Sequence, residues 1–391
     1  PPRSTLFPYT TLFRSKGRVS QGAAQAFLGR VALYEGTWQK FRNNATRANT
    51  LLDKAISSSA AIITSAQYTL YAPAVLGDSA QKYMFILEDE NSNPAGLQKS
   101  SNKEYILSNR YSYTLRQIRM NVTKATLGNV YWLTKKFADM YLCQDGLPIE
   151  KSPLFKGYAT TTSEYVNRDN RMRYTFMIDG RYYWDNHTPG ARTTWTGDAV
   201  DRASSRGIQN GATNSGYNNQ KWSSERSIND NEEAYDYPVI RYAEVLLNYA
   251  EAVYERNGSI TDADLDKSLN LVRNRVNKTM PKLSNSFVSS NGLDMRTEIR
   301  RERNIELYFE GFRVDDLKRW KTAETELPMD LQGITWTGTQ WATKWAGISS
   351  RIVNGVFRLE SGRTWADKNY LLPIPSQQIQ LNPNLTQNPG W

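Results

Sequence analysis

The sequence predicts a mainly α-helical protein in which helical hairpins of the tetratricopeptide type form a scaffold and a long irregular middle segment carries loops. Three observations predict it. Apolar residues recur at helical spacing in two paired blocks, near residues 24–63 and 240–276. Between the blocks the period fades while aromatic residues accumulate among Gly, Asn, Thr and Ser. After the second block, residues 298–320 (EIRRERNIELYFEGFRVDDLKRW) combine apolar residues at helical spacing with many charges.

Residues 1–15, PPRSTLFPYTTLFRS, show neither a period nor the charged, apolar and small-residue regions of a signal peptide. They resemble translated adaptor sequence and are expected to be a non-native leader to a single domain, 16–391. From Lys16 the spacing predicts a helix whose apolar face is Ala24, Phe27, Leu28, Val31 and Tyr34, with Ala23 and Ala26 small enough for a close partner. Leu51, Leu52, Ala55, Ile56, Ile62 and Ile63 mark a second helix after the polar connection RNNATRAN, giving a first hairpin over 16–70.

The loop-rich part, 71–236, holds short apolar pieces at 83–87 and 105–107, the latter a strand or a helical turn. It also holds a short helix, 135–141, ended by the turn QDG, and a polar turn NRDNRM leading to a strand-like YTFMI. Helical order returns in 237–325. Pro238 suits a first turn, and Ile240, Ala243, Leu247, Ala250 and Tyr254 run along one face to a stop at Asn257 and Gly258. Leu265, Leu269, Val272 and Val276 predict the partner helix, ending before Pro281. The rest, 326–391, reads as an aromatic loop with Trp336, Trp341 and Trp345, then a Pro-rich extended tail that excludes a helix.

In the charged stretch, Ile305, Tyr308, Phe309 and Phe312 make an apolar face that looks inward. Glu302, Glu306 and Glu310 form an acidic row four apart with arginines around it. That row reads either as a solvated or ion-paired face or as a carboxylate pair for acid and base work. Nothing in the sequence sets one carboxylate apart from its neighbours.

Composition removes several function classes. One cysteine, Cys143, cannot form an internal disulfide, and one histidine, His187, leaves no zinc motif. A Ser-His-Asp arrangement would need His187, whose surroundings lack a nucleophile elbow. No metal or cofactor is expected, and no apolar run approaches the roughly eighteen residues of a membrane helix. The 49 Lys and Arg exceed the 39 Asp and Glu by ten, but no basic run is longer than two residues, so nucleic acid is not an expected partner.

Eleven Trp and 23 Tyr are the outlying counts, because many sit in segments without a period. Within 181–222 lie Tyr182, Tyr183, Trp184, Trp195, Tyr217 and Trp222. A loop longer than ~15 residues is either functional or disordered, and tryptophans argue against disorder. The rings either pin the loop to the scaffold or offer flat surfaces to an amphipathic ligand.

RYAEVLLNYAEA (241–252), LNLVRNRVN (269–277), RRERNIELYFEGFRVDDLKRW (300–320) and LLPIPSQQIQLNPNLTQNPGW (371–391), with KKFADMYLCQDGLPI (135–149) and NRDNRM, together resemble the signature of the SusD/RagB family. Its members are outer-membrane nutrient-binding lipoproteins of Bacteroidetes. The resemblance covers the chain from Lys16 onward and lies in the order and spacing of the motifs. It implies four tetratricopeptide-like hairpins, with loops and small β-hairpins on top carrying the ligand site. It further implies a lipid anchor at the cell outer membrane and a SusC-like TonB-dependent transporter over which the protein closes. The sequence departs from the family at its start: no lipobox cysteine is present, and Cys143 lies mid-chain. The anchor, the leading hairpins and part of the site are expected in a missing N-terminus.

On that resemblance the chain is expected to capture an oligosaccharide and deliver it to the transporter, without catalysis. A peptide or another nutrient is the alternative ligand, and a glycoside hydrolase is a third reading for which no carboxylate pair is marked. Sugar C–H faces stack on Trp and Tyr, while sugar hydroxyls need hydrogen bonds to offset desolvation. Tyr183, Trp184, Trp195 and Trp222 are the candidate stacking residues, with Arg192 and Asp198 as polar partners. The charged helix is assigned a structural part, so alanine at Glu306 or Arg313 is expected to lower stability rather than ligand affinity.

Overall fold

Small side chains decide how the first two helices meet. The computed structural model describes residues 17–120, 122–124, 131–178, 215–226, 231–344 and 351–391. In it α1 spans Gln21–Lys40 and α2 spans Ala45–Ser65. Helix α1 buries Ala23, Ala26, Gly29, Ala32, Leu33 and Gly36. A Cβ on Gly29 would meet Ser59 Oγ at 3.1 Å, and one on Gly36 would meet Leu52 Cγ at 3.1 Å, so these glycines set the close approach. The expected apolar face is on the wrong side: Phe27, Leu28 and Val31 are exposed at 55%, 44% and 46%. Small and large residues occupy roughly opposite stripes of α1, and close packing rewards the stripe that lets backbones approach. Helix α2 buries Leu52, Ala55 and Ile62 as its spacing predicts.

Strand β1, Tyr105–Asn109, resolves the ambiguity at 105–107 by pairing antiparallel with a later segment. Helix α3, Lys135–Met140, follows. The strand-like YTFMI is helical in its first half: α4 runs Asn170–Thr175, and the Asp169 carboxylate caps it by accepting the Arg171 N–H. The segment partnering β1 is β2, Tyr237–Arg241, which places Pro238 in a strand opposite Ser108. The helix expected from Pro238 therefore starts later, as α5, Tyr242–Asn257.

Helix α5 is the central strut, with 13 of its 16 residues buried. It receives α2 on one side, and on others α6, Leu269–Asn274, and α7, Met295–Glu306. Because α5 is buried nearly all round, its carboxylates must be paired. Glu244 takes Arg30, Glu251 takes Arg319, and Glu255 takes Lys40 and Arg296. The partner helix expected over 261–276 breaks in two, Asp262–Asp266 and α6, yet Leu265, Leu269, Val272 and Val276 are all buried.

The charged stretch is not one helix. Helix α7 stops at Glu306 and α8 runs Arg313–Arg319, with a reversal between them. Phe309 (φ 59°) and Gly311 (φ 88°) both take the left-handed conformation there. For Phe309 this costs roughly 1 kcal/mol or more and persists only where surrounding contacts hold it.

The acidic row is the inward face. Glu306 accepts from Arg241 at 2.6 Å, Arg275 at 2.5 Å, Arg171 at 3.1 Å and Gln81 at 2.9 Å. Glu302 takes Arg171 and Arg273, and Glu310 takes Arg241 and Lys221. Glu104 from before β1 and Asp169 complete the set by pairing with Arg275 and Arg171. Five cations (Arg171, Lys221, Arg241, Arg273, Arg275) thus face five carboxylates (Glu104, Asp169, Glu302, Glu306, Glu310), and the charges balance. Burial pushes Lys221 down to about 8 even with Glu310 beside it. Three arginines hold Glu306 well below the usual carboxylate range despite its burial.

The aromatic tail is a sheet rather than a loop. Strands β3 (Leu331–Thr335), β4 (Ile352–Val353) and β5 (Val356–Glu360) are antiparallel in the order β3-β5-β4. Trp336 and Trp341 are buried in a core with Phe137, Phe176, Tyr217 and Phe357. Trp345 lies outside the described residues. The Pro-rich end also holds a short helix, Ser376–Leu381. Pro375 stands just before its first turn, where no intrahelical N–H is required.

Gly333 in β3 lies against the chain at Ser215. A Cβ there would come within 2.2 Å of the Ser215 carbonyl oxygen, which also accepts from the Ile334 N–H at 3.0 Å. Gly333→Ala is expected to push these segments apart and destabilise the protein by roughly 1–3 kcal/mol. Chemical denaturation reads this, and an unchanged midpoint would refute the close approach.

Candidate functional site

The reversal between α7 and α8 builds one wall of a groove of ≈ 450 Å³. Leu307, Tyr308, Phe309, Gly311 and Phe312 line it from the turn, Arg303 and Asn304 from the last turn of α7, and Arg313, Val314 and Leu317 from α8. The facing wall begins at Trp132 and Leu133. Their backbone is fixed by pairing with Asn218 and by the Leu133 N–H donating to the Tyr217 carbonyl at 2.9 Å. Thr134 then caps α3, which projects Lys136, Phe137 and Met140 into the same groove.

Its aromatic rings form a continuous ladder. Phe137 stacks on Tyr308 at 4.3 Å and Tyr308 on Phe309 at 5.7 Å, while the exposed Tyr131, outside the lining, meets Phe309 edge-on at 4.9 Å. Phe312 is a wall rather than a platform, because the guanidinium groups of Arg30 and Arg303 lie 5.1 and 5.3 Å from its ring centre. The Trp132 indole N–H is buried with no hydrogen-bond partner among the described residues.

The polar groups of the groove fall into two sets. Arg303 is taken up internally by Asp316 at 2.8 Å and by Asn248. At the rim, Glu326 is shared between Lys136 and Arg313, the latter at 3.4 Å. Burial holds Arg313 below the ordinary guanidinium range, and Glu326 and Asp316 do not offset it. Arg363 lines the same groove, with Glu360 3.7 Å away. Phe137 and Tyr308 cover each other's faces, so the half-buried Phe309 is the ring with a face left to a ligand, and an apolar surface beside hydrogen-bonding side chains suits a ligand with apolar patches and polar edges.

Glu164 is raised to about 7 by burial, lies outside this groove, and accepts from the Tyr217 hydroxyl at 2.9 Å. Among the described residues, no group of three His, Cys, Asp or Glu side chains is placed to hold a metal ion.

Of the residues singled out from sequence, Tyr183, Trp184, Arg192, Trp195 and Asp198 lie outside the described residues. Trp222 is described, and it is no open stacking surface. It is buried, stacks on Tyr235 and Tyr237 at 5.9 and 5.4 Å, and meets Phe85 edge-on at 4.7 Å. Its indole N–H donates to the Phe309 carbonyl at 3.3 Å, so Trp222 supports the left-handed residue of the turn. The ring found partners from three distant segments, which loop composition does not reveal.

Glu306 and Arg313, paired in the sequence reading as structural, separate: Glu306 is in the buried ion network and Arg313 lines the groove. Sequence reasoning missed Trp132, Tyr308 and Phe309 as a group. The available signal was Tyr-Phe-Glu-Gly-Phe-Arg directly after a charged helix, where Gly311 marks a reversal that turns aromatics outward from the helix axis.

The SusD family model matches residues 86–391. A SusD-like carbohydrate-binding protein from Bacteroides fragilis shares the fold with a TM-score of 0.68 at 24% identity, over 98% of this chain and 67% of that one. A second SusD-like protein from B. fragilis gives 0.65 at 25% identity, over 97% and 66%. Surface glycan-binding protein A from Bacteroides thetaiotaomicron gives 0.50 at 18% identity, over 96% and 64%. The chain therefore spans about two thirds of the length of these structures. No curated protein matches it.

Proposed function

The chain belongs to the SusD family, and on that premise we propose that it captures a glycan in the aromatic groove without catalysing a reaction on it. The observation that carries this is the row of Phe137, Tyr308 and Phe309 in the groove beside a rim of Lys136, Arg313, Glu326 and Arg363. Sugar rings present apolar faces to such a row and hydroxyls to such a rim. Two of the structurally similar proteins carry carbohydrate or glycan binding in their names, which supports the same ligand class. The wider role is uptake: the protein sits at the outer-membrane surface on a lipid anchor and hands its ligand to a SusC-like TonB-dependent transporter.

Calorimetry against a panel of oligosaccharides and peptides tests the reading. Phe309→Ala is the informative variant, since alanine meets the same left-handed backbone requirement and only the ring is lost. It is expected to weaken the best glycan about tenfold, roughly 1–2 kcal/mol of stacking and burial. Trp184→Ala and Trp195→Ala report on the aromatic loop proposed from sequence. Binding lost in those two but unchanged in Phe309→Ala would move the site away from the groove. Peptide binding with no glycan bound would reject the glycan reading, and product release from a polysaccharide would reject the non-catalytic one.

A further inference from the structure

We propose that the groove selects an acidic glycan, one carrying carboxylate or sulfate groups, through Lys136, Arg313 and Arg363. This rests on the glycan reading above and adds the ligand's charge. Six charged side chains line the groove: Lys136, Arg303, Arg313 and Arg363 against Asp316 and Glu326. Arg303 and Asp316 close on each other at 2.8 Å and are both buried, so they cancel. Apart from Glu360, which stands outside the lining beside Arg363, the three remaining cations face one carboxylate, Glu326.

That carboxylate is shared. Lys136 and Arg313 both reach it, with side-chain exposures of 41% and 35% against 28% for Glu326. Partly solvated pairs of this kind are weak, so they yield to a ligand anion that can be met by several donors at once. Arg313 spends a single long contact of 3.4 Å on Glu326, whereas its planar fork can present two parallel N–H groups to a carboxylate or sulfate. The Arg363 contact with Glu360 is longer still, at 3.7 Å, and Glu360 is more than half exposed. The cations line the same groove as Phe137, Tyr308 and Phe309, so an anionic substituent on a sugar ring bound there would reach them.

The experiment is calorimetry on the full chain with galacturonate oligomers, a sulfated oligosaccharide and a neutral oligosaccharide of the same length, each at low and high salt. An acidic oligomer is expected to bind more tightly than the neutral one, with affinity falling as salt rises. Comparing the galacturonate and sulfated arms then identifies the anion. Arg313→Gln and Lys136→Gln are each expected to lose roughly tenfold for the acidic ligand and to leave the neutral one unchanged. Arg363→Gln serves as a third variant outside the helical scaffold, and circular dichroism confirms that each variant is folded. Equal binding of neutral and acidic oligomers without salt dependence overturns the inference and leaves the glycan reading standing. Binding of peptides and of no carbohydrate overturns both.

Discussion

Replacing Glu306 by alanine is expected to cost on the order of 3–5 kcal/mol, a large fraction of the roughly 5–15 kcal/mol by which folded proteins are ordinarily stable. The reason is the neighbours the carboxylate leaves behind. Arg171, Arg241 and Arg275 all donate to Glu306, and all are fully or almost fully buried. Removing one acid from a balanced set of five and five leaves a net positive charge on buried side chains. The cost comes from that orphaned charge, since an intact buried ion pair is often worth little against an apolar replacement. Arg47→Ala is the control. Its pair with Glu35 is largely exposed, and the change is expected to stay within about 0.5 kcal/mol. Chemical denaturation of the two variants decides the matter, and comparable midpoints would mean that the network is a passive by-product of packing.

Stability is expected to peak near pH 5 and to fall on both sides. Arg319 and Arg303 hold the buried Glu251 down to about 2, against 4.5 for a free side chain. A carboxylate depressed in this way contributes stability above its unfolded pKa and loses it as pH falls through its folded one. Glu251 therefore removes stability as pH falls below 4.5 toward its depressed folded value. Glu306, Glu310 and Asp169 are shifted in the same direction and steepen the loss.

Glu164 has the opposite sign. Burial raises it to about 7, so its contribution is complete below 4.5 and is lost as pH rises through 7. Thermal unfolding from pH 2 to 8 should show both limbs, and Glu164→Gln should flatten only the upper one. A wild-type curve that climbs steadily to pH 8 would contradict the assignment of Glu164.

Periodicity located the helices that form the scaffold, because α2 and α5 bury the residues their spacing marks. It failed where two stripes compete. Phe27, Leu28 and Val31 are larger and more apolar than Ala23, Ala26 and Gly29, yet the small stripe is the buried one. It failed again at Pro238, where pairing with β1 wins over helix initiation, and at Trp336 and Trp341, whose core is supplied by Phe137, Phe176 and Tyr217 from distant segments. Each of these outcomes depends on a partner far away in the chain.

By itself the sequence determined the helical scaffold, the motifs of the SusD family and the exclusion of zinc and disulfide chemistry, because these follow from local spacing and residue type. Only the tertiary structure decided what the charged stretch does. Its glutamates meet arginines from three other segments and Lys221 from a fourth, and its last aromatics leave the helix at a left-handed turn to line a groove. Charge pairing and ring stacking act between segments brought together by folding, so the same residues are ambiguous in line and specific in space.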